Sequence, residues 1–201
     1  MDRKRYITVL AVLLILNFLP VSEAKDENPA VSYVAHVVDE AISSLTAKGI
    51  SLRTKEKRFK KLLIKTFDVD FLSRFTMGRY WRQATDAQKA KYTELFTSLL
   101  SQNYATLFNN YSGEQVKIIS SNVDEQNDHT IVRGELIQVD GKVVSLHWRL
   151  KGETGRYKML DVIVEGISML TTQREEMMSV IQNHNYDIDK LLTFLETKVG
   201  K

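Results

Sequence analysis

The hydrophobic period of this chain changes twice, and those changes limit its fold more than any single motif. Up to about residue 108 the apolar residues recur every three or four positions, and from Gln115 to Val164 they alternate. After Glu165-Gly166 the helical spacing returns. A period of 3.6 marks amphipathic helices and a period of 2 marks half-buried strands. No internal repeat, linker or low-complexity tract interrupts the 201 residues. The pattern predicts one α+β domain: a four-stranded antiparallel curved sheet covered on one face by helices from both ends of the chain.

Local signals place the elements. Asn28-Pro29 opens a first helix carrying Val31, Val34, Val38, Ile42 and Leu45, and Gly49 stops it. Ser51 opens a second, with Leu52, Phe59, Leu62, Leu63 and Phe67 facing inward. Asp70 starts a third segment that breaks at Gly78. Thr85 with Gln88 forms a capping box, launching a long aromatic helix from Tyr92 through Phe108 that ends at Ser112-Gly113. Turns at Asn127-Asp128, Asp140-Gly141 and Gly152–Gly155 divide four strands, the last ending at Val164. Thr172 with Glu175 reads as a second capping box, and a final helix spans Ile188 to Val199.

The first 24 residues read separately. Arg3, Lys4 and Arg5 precede an apolar run from Tyr6 to Leu19, Pro20 ends it, and Ser22 and Ala24 are small residues before a cut. This is the layout of a signal peptide over 1–24, leaving a single domain over 25–201. The chain has no cysteine, which excludes disulfides, thiolate metal sites, cysteine nucleophiles and a lipid-modified residue after the cut. The expected product is exported and soluble. A net charge of +3 is too small to argue for nucleic acid.

Catalytic signatures are scarce. There is no Gly-rich phosphate loop, dinucleotide fingerprint or nucleophile elbow, and His36, His129, His147 and His184 fall in four elements without metal-ligand spacing. Neither metal nor cofactor is expected. Asp161 and Glu165, read as sharing a face of the fourth strand, suit either a paired-carboxylate site or salt bridges to neighbouring cations. Lys55, Lys57, Arg58, Lys60 and Lys61 suit anionic lipid headgroups, a partner, or a solvated helix face. The Tyr92–Phe108 stripe reads equally as core or as the wall of a cavity.

Three segments carry a family likeness. Gly78-Arg79-Tyr80-Trp81-Arg82-Gln83-Ala84-Thr85, running into Ala87-Gln88, resembles the helix-turn-helix signature of the toluene-tolerance family, periplasmic phospholipid-binding proteins of the maintenance-of-lipid-asymmetry pathway. Tyr111-Ser112-Gly113-Glu114 is similar to that family's exit from its long helix. Asp161-Val162-Ile163-Val164-Glu165-Gly166-Ile167-Ser168-Met169, then Thr171-Thr172-Gln173, resembles its strand-to-helix segment. Asn183-His184-Asn185 departs from it by lacking a glycine before the last helix.

The resemblance implies a cone-shaped sheet with a helical layer, an acyl-chain cavity between them, and a carrier rather than an enzyme. It also implies partners: phospholipid, an inner-membrane ABC transporter complex with a lipid-transfer domain, and an outer-membrane lipoprotein complex. The carrier is expected to be a periplasmic monomer. For such a cavity, strand alternation assigns one wall to Leu146, Trp148 and Leu150 with Val162 and Val164 on the adjacent strand. The helical wall is expected from Phe75, Tyr80, Leu95, Phe96, Leu99 and Tyr104. Two other readings are a small enzyme with Asp161 or Glu165 as general base, and a periplasmic adaptor with an apolar peptide groove.

Overall fold

The computed structural model describes residues 28–200, so the expected signal peptide and its cut after Ala24 lie outside the described residues. The helices run α1 Pro29–Leu45, α2 Leu52–Thr66, α3 Val69–Met77 and α4 Asp86–Ala105, then α5 Met169–Asn183 and α6 Ile188–Val199 after the sheet. Side-chain caps set the starts. Asn28 and Ser51 accept the Ala30 and Thr54 N–H groups. At Thr85 the capping box is complete: its N–H donates to Gln88 Oε1 at 2.9 Å and the Gln88 N–H to Thr85 Oγ1 at 3.2 Å.

Three boundaries differ from the sequence reading. Asp68 caps α3, two residues before the expected start at Asp70. The long helix stops at Ala105 and tightens into a 3-10 turn, Thr106–Asn109, without reaching Ser112. Ser168 caps α5, so Thr172 and Glu175 form no capping box, and Thr172 Oγ1 instead donates back to the Ser168 carbonyl at 3.0 Å.

The sheet is an antiparallel meander, β1 Gln115–Asp124, β2 His129–Ile137, β3 Val143–Lys151, β4 Lys158–Val164 and β5 Ile167–Ser168. It holds five strands; the fifth, two residues long, follows the tight turn Glu165-Gly166, where both residues have positive φ as a type I′ hairpin requires. Ile119 and Leu160 are extra residues at bulges in β1 and β4.

Two apolar clusters form. Residues of α2 to α6 make a helical core around Tyr92, Phe96, Leu191 and Leu195. Ala30, Val34 and Val37 of α1 pack on Val132, Trp148, Leu150 and Met159 of the sheet, with Leu62 of α2 joining them. Trp148 lies over Gly134: a Cβ there would sit 2.9 Å from the indole and 2.6 Å from the Lys117 carbonyl oxygen, so only glycine fits. The other sheet face carries exposed Ile119 and Val143. Among the described residues no helix is long and apolar enough to cross a membrane.

Candidate functional site

A cavity of about 270 Å³ opens where the two clusters meet, at the β4 end of the sheet. α4 contributes Phe96, Leu100 and Tyr104, spaced four residues apart on one helical face, and α2 contributes Phe59 and Leu63. β4 supplies Leu160, Val162 and Val164; Met169, Leu170 and Gln173 of α5 close another side. Leu107, on the 3-10 turn, is 65 % exposed, and there the wall reaches solvent. The surface turned to the space is apolar.

Asp161 also belongs to the lining, and its hydrogen bonds fix the wall. Asp161 accepts the Leu170 N–H at 3.0 Å and the Ser168 hydroxyl at 2.6 Å. Its carboxylate, with no side-chain exposure, therefore caps α5 from β4, and Arg149 lies 3.8 Å away. Glu165 is elsewhere: it sits in the β4–β5 turn and accepts the Ser145 N–H. The two carboxylates form no pair. Burial pushes the Tyr104 phenol above its ordinary value, and the nearby Glu176 charge adds to the effect. Gln173 is 7 % exposed, and its Oε1 has no hydrogen-bond partner among the described residues.

The 3-10 turn has its own tether. Lys55, 9 % exposed, donates from Nζ to the Phe108 carbonyl at 3.1 Å and to Asn109 Oδ1 at 2.8 Å. Phe59 packs against Tyr104 and Phe108, with ring centroids 6.3 Å and 6.2 Å away. This corrects the reading of the α2 cations as one patch. Arg58 donates to the Ser44 carbonyl at 2.7 Å and Lys60 to Ser98 Oγ at 2.8 Å, so three of the five cations bind α2 to its neighbours.

Four of the eleven expected wall residues line this space: Phe96, Tyr104, Val162 and Val164. The other seven do not. Trp148 and Leu150 share a sheet face with Val162, as their register requires, but α1 already covers that end, and Leu146 packs on the same cluster. Leu95 packs against the helical core, and Leu99 faces Phe194 and Val180, because each lies one position off the Phe96–Leu100–Tyr104 face. Phe75 lies under Arg174, and Tyr80 is buried against Tyr186, outside the cavity lining. Most of the remaining lining was not in the sequence reading, Leu100 and Leu160 among it. Leu100 was visible as the i+4 partner of Phe96, whereas Leu160 enters through a bulge that no local pattern announces.

Known proteins share this architecture. The model of the MlaC protein family matches residues 35–197. The intermembrane phospholipid transport system binding protein MlaC of Haemophilus influenzae is 22 % identical over 205 residues, covering 98 % of this chain and 94 % of that protein. Toluene tolerance protein ttg2D of Pseudomonas putida is 23 % identical over 195 residues, covering 94 % and 90 % respectively. A solved phospholipid-binding protein from Ralstonia solanacearum, in complex with a phospholipid, superposes with a TM-score of 0.74. It is 22 % identical, and the match covers 85 % of this chain and 97 % of that one.

Proposed function

Because the chain belongs to the MlaC protein family, we propose that it is a phospholipid carrier whose cargo's acyl chain enters the cavity between α2, α4, α5 and β4. The supporting observation is an apolar cavity that reaches solvent at Leu107, on a tethered turn. Phe96, Tyr104, Val162 and Val164 are its proposed acyl contacts. The carrier works in the periplasm after loss of residues 1–24. It moves lipid between an inner-membrane ABC transporter complex and an outer-membrane lipoprotein complex, without catalysing a reaction. Asp161 is built into the fold as a helix cap, which favours the carrier over the enzyme reading.

The energetics suit transfer. Two long acyl chains at ~0.8 kcal/mol per methylene release on the order of 25 kcal/mol on leaving water, beyond the practical limit of about 18–21 kcal/mol for noncovalent affinity. The useful comparison is bilayer against cavity, where the apolar contributions nearly cancel. Among the elements that line the cavity, the exposed 3-10 turn has no fully buried residue.

Organic extraction of the purified protein followed by mass spectrometry tests this reading. Phospholipid should be recovered in a fixed ratio to protein. Leu107→Glu and Val164→Trp should fold and carry at least about fivefold less lipid, the first by placing a charge at the opening and the second by filling the space. Val139→Glu, at an exposed position on the β2–β3 loop, should carry as much as the wild type. An extract without phospholipid, or equal lipid in all four proteins, overturns the proposal.

A further inference from the structure

A second groove, of about 340 Å³, runs along α5 and shares no lining residue with the cavity. Its walls are Arg79, Tyr80, Arg174, Met178, Gln182 and Tyr186. Arg174, Met178 and Gln182 recur every four residues and so occupy one face of α5, next to the inward stripe of Gln173, Met177 and Ile181.

Both guanidinium groups are held in place. Arg174 lies 4.9 Å from the Phe75 ring centre and donates from Nη1 to the Phe75 carbonyl at 3.1 Å. It also abuts Gly78, where a Cβ would lie 3.1 Å from Nη2. Arg79 lies 4.9 Å from the Tyr80 ring centre and donates from Nη2 to the Tyr80 hydroxyl at 2.7 Å. The Tyr80 ring in turn stacks on Tyr186, centroids 5.9 Å apart. A side chain already fixed against a ring loses little further freedom when it binds a ligand.

Neither arginine has a carboxylate within 4 Å among the described residues, and the same holds for Arg74 and Arg82 on the adjoining α3 and the turn after it. Two uncompensated guanidinium groups facing one groove repel each other and favour an anion that both can bind. Guanidinium forks match carboxylate and phosphate oxygens in pairs. A carboxylate has only two oxygens to share between two forks, whereas a tetrahedral phosphate presents more acceptors in more directions. Met178 and the two tyrosines give an ester substituent apolar and aromatic surface.

We infer that the Arg79–Arg174 groove binds the phosphate group of a phosphate ester. The inference does not depend on what the cavity holds. Two sources carry this chemistry, a soluble phosphate ester and the headgroups of a bilayer.

The full chain, purified as it is produced, is titrated with glycerol 3-phosphate while the arginine Nε resonances are followed by NMR, and is sedimented with phosphatidylglycerol vesicles. Arg79 and Arg174 Nε should shift together on binding. Arg79→Gln, at an exposed position, should weaken binding about tenfold or more. Arg174→Gln should act likewise, and because Arg174 also bonds α3, the Arg79 variant decides the matter if Arg174→Gln does not fold. Lys142→Gln, an exposed cation elsewhere, is the control for charge alone. Arg79-dependent binding of glycerol 3-phosphate without vesicle binding identifies a soluble ester as the ligand. Arg79-dependent sedimentation, with or without the soluble ester, identifies bilayer headgroups. Binding that is absent in both arms, indifferent to Arg79→Gln, or weakened equally by Lys142→Gln overturns the inference.

Discussion

The Asp161 carboxylate accepts the Leu170 backbone N–H at 3.0 Å, so the strand that walls the cavity is also the cap of the helix that closes it. Removing that carboxylate leaves the Leu170 N–H and the Ser168 hydroxyl without their acceptor, while Arg149, 35 % exposed, keeps access to water. Leaving a buried donor without its acceptor costs about 1–3 kcal/mol. For a domain of this size Asp161→Ala should lower Tm by roughly 4 °C or more. Asp161→Asn keeps one acceptor oxygen and should lose less than half of that. Thermal denaturation followed by circular dichroism reads both, and equal loss in the two variants would refute the capping role.

Gly134 and Trp148 make a second such pair. Gly134→Ala forces the indole or the Lys117 carbonyl to shift, and overpacking of this kind costs about 1–3 kcal/mol. Tm should fall by roughly 3–10 °C, with a change in the near-ultraviolet tryptophan signal. An unchanged near-ultraviolet spectrum would show that the ring does not rest on Gly134.

Lys55 tethers the turn that bears Leu107. Lys55→Met keeps the length and apolar stem of the side chain but gives up both hydrogen bonds. The expected result is a folded protein whose amides over residues 106–110 exchange about tenfold faster or more, a local loosening without global unfolding. Acceleration spread over all of α4 would count against a local tether.

His129 gives a pH dependence of stated sign. Its pKa is lowered, first by burial and then by the Arg149 charge, from an ordinary value near 6.5. The unfolded chain therefore takes up a proton before the folded one does. The stability this position contributes is complete above about pH 7 and falls as the pH drops below about 6.5. His129→Gln should flatten the urea midpoint between about pH 7 and pH 5, and an unchanged slope would exclude the residue as its source.

Local chemistry made much of this fold legible. Asn28, Ser51 and Thr85 mark helix starts because a cap is a bond between residues two or three apart, and alternation correctly placed Trp148, Val162 and Val164 on one sheet face. What stayed hidden rests on distant partners. The start of α5 was misread because half of its cap arrives from Asp161. Trp148 and Leu150 pack under α1, more than a hundred residues earlier in the chain, which no local pattern announces. The five cations of α2 looked like a single patch in sequence, yet Lys55, Arg58 and Lys60 each reach a different element.

The packing of α1 on the sheet also sets an order of assembly. The meander joins neighbours in sequence, and its hairpins close over short loops. Ala30, Val34 and Val37, by contrast, find Val132, Trp148 and Leu150 only across a span of about a hundred residues. Contacts of such separation carry a loop-closure cost before they return any burial, and they slow the search. The helix that comes first among the described residues thus completes its core among the last. Until β2 and β3 are in place, its apolar stripe remains open to chaperones, proteases and other chains.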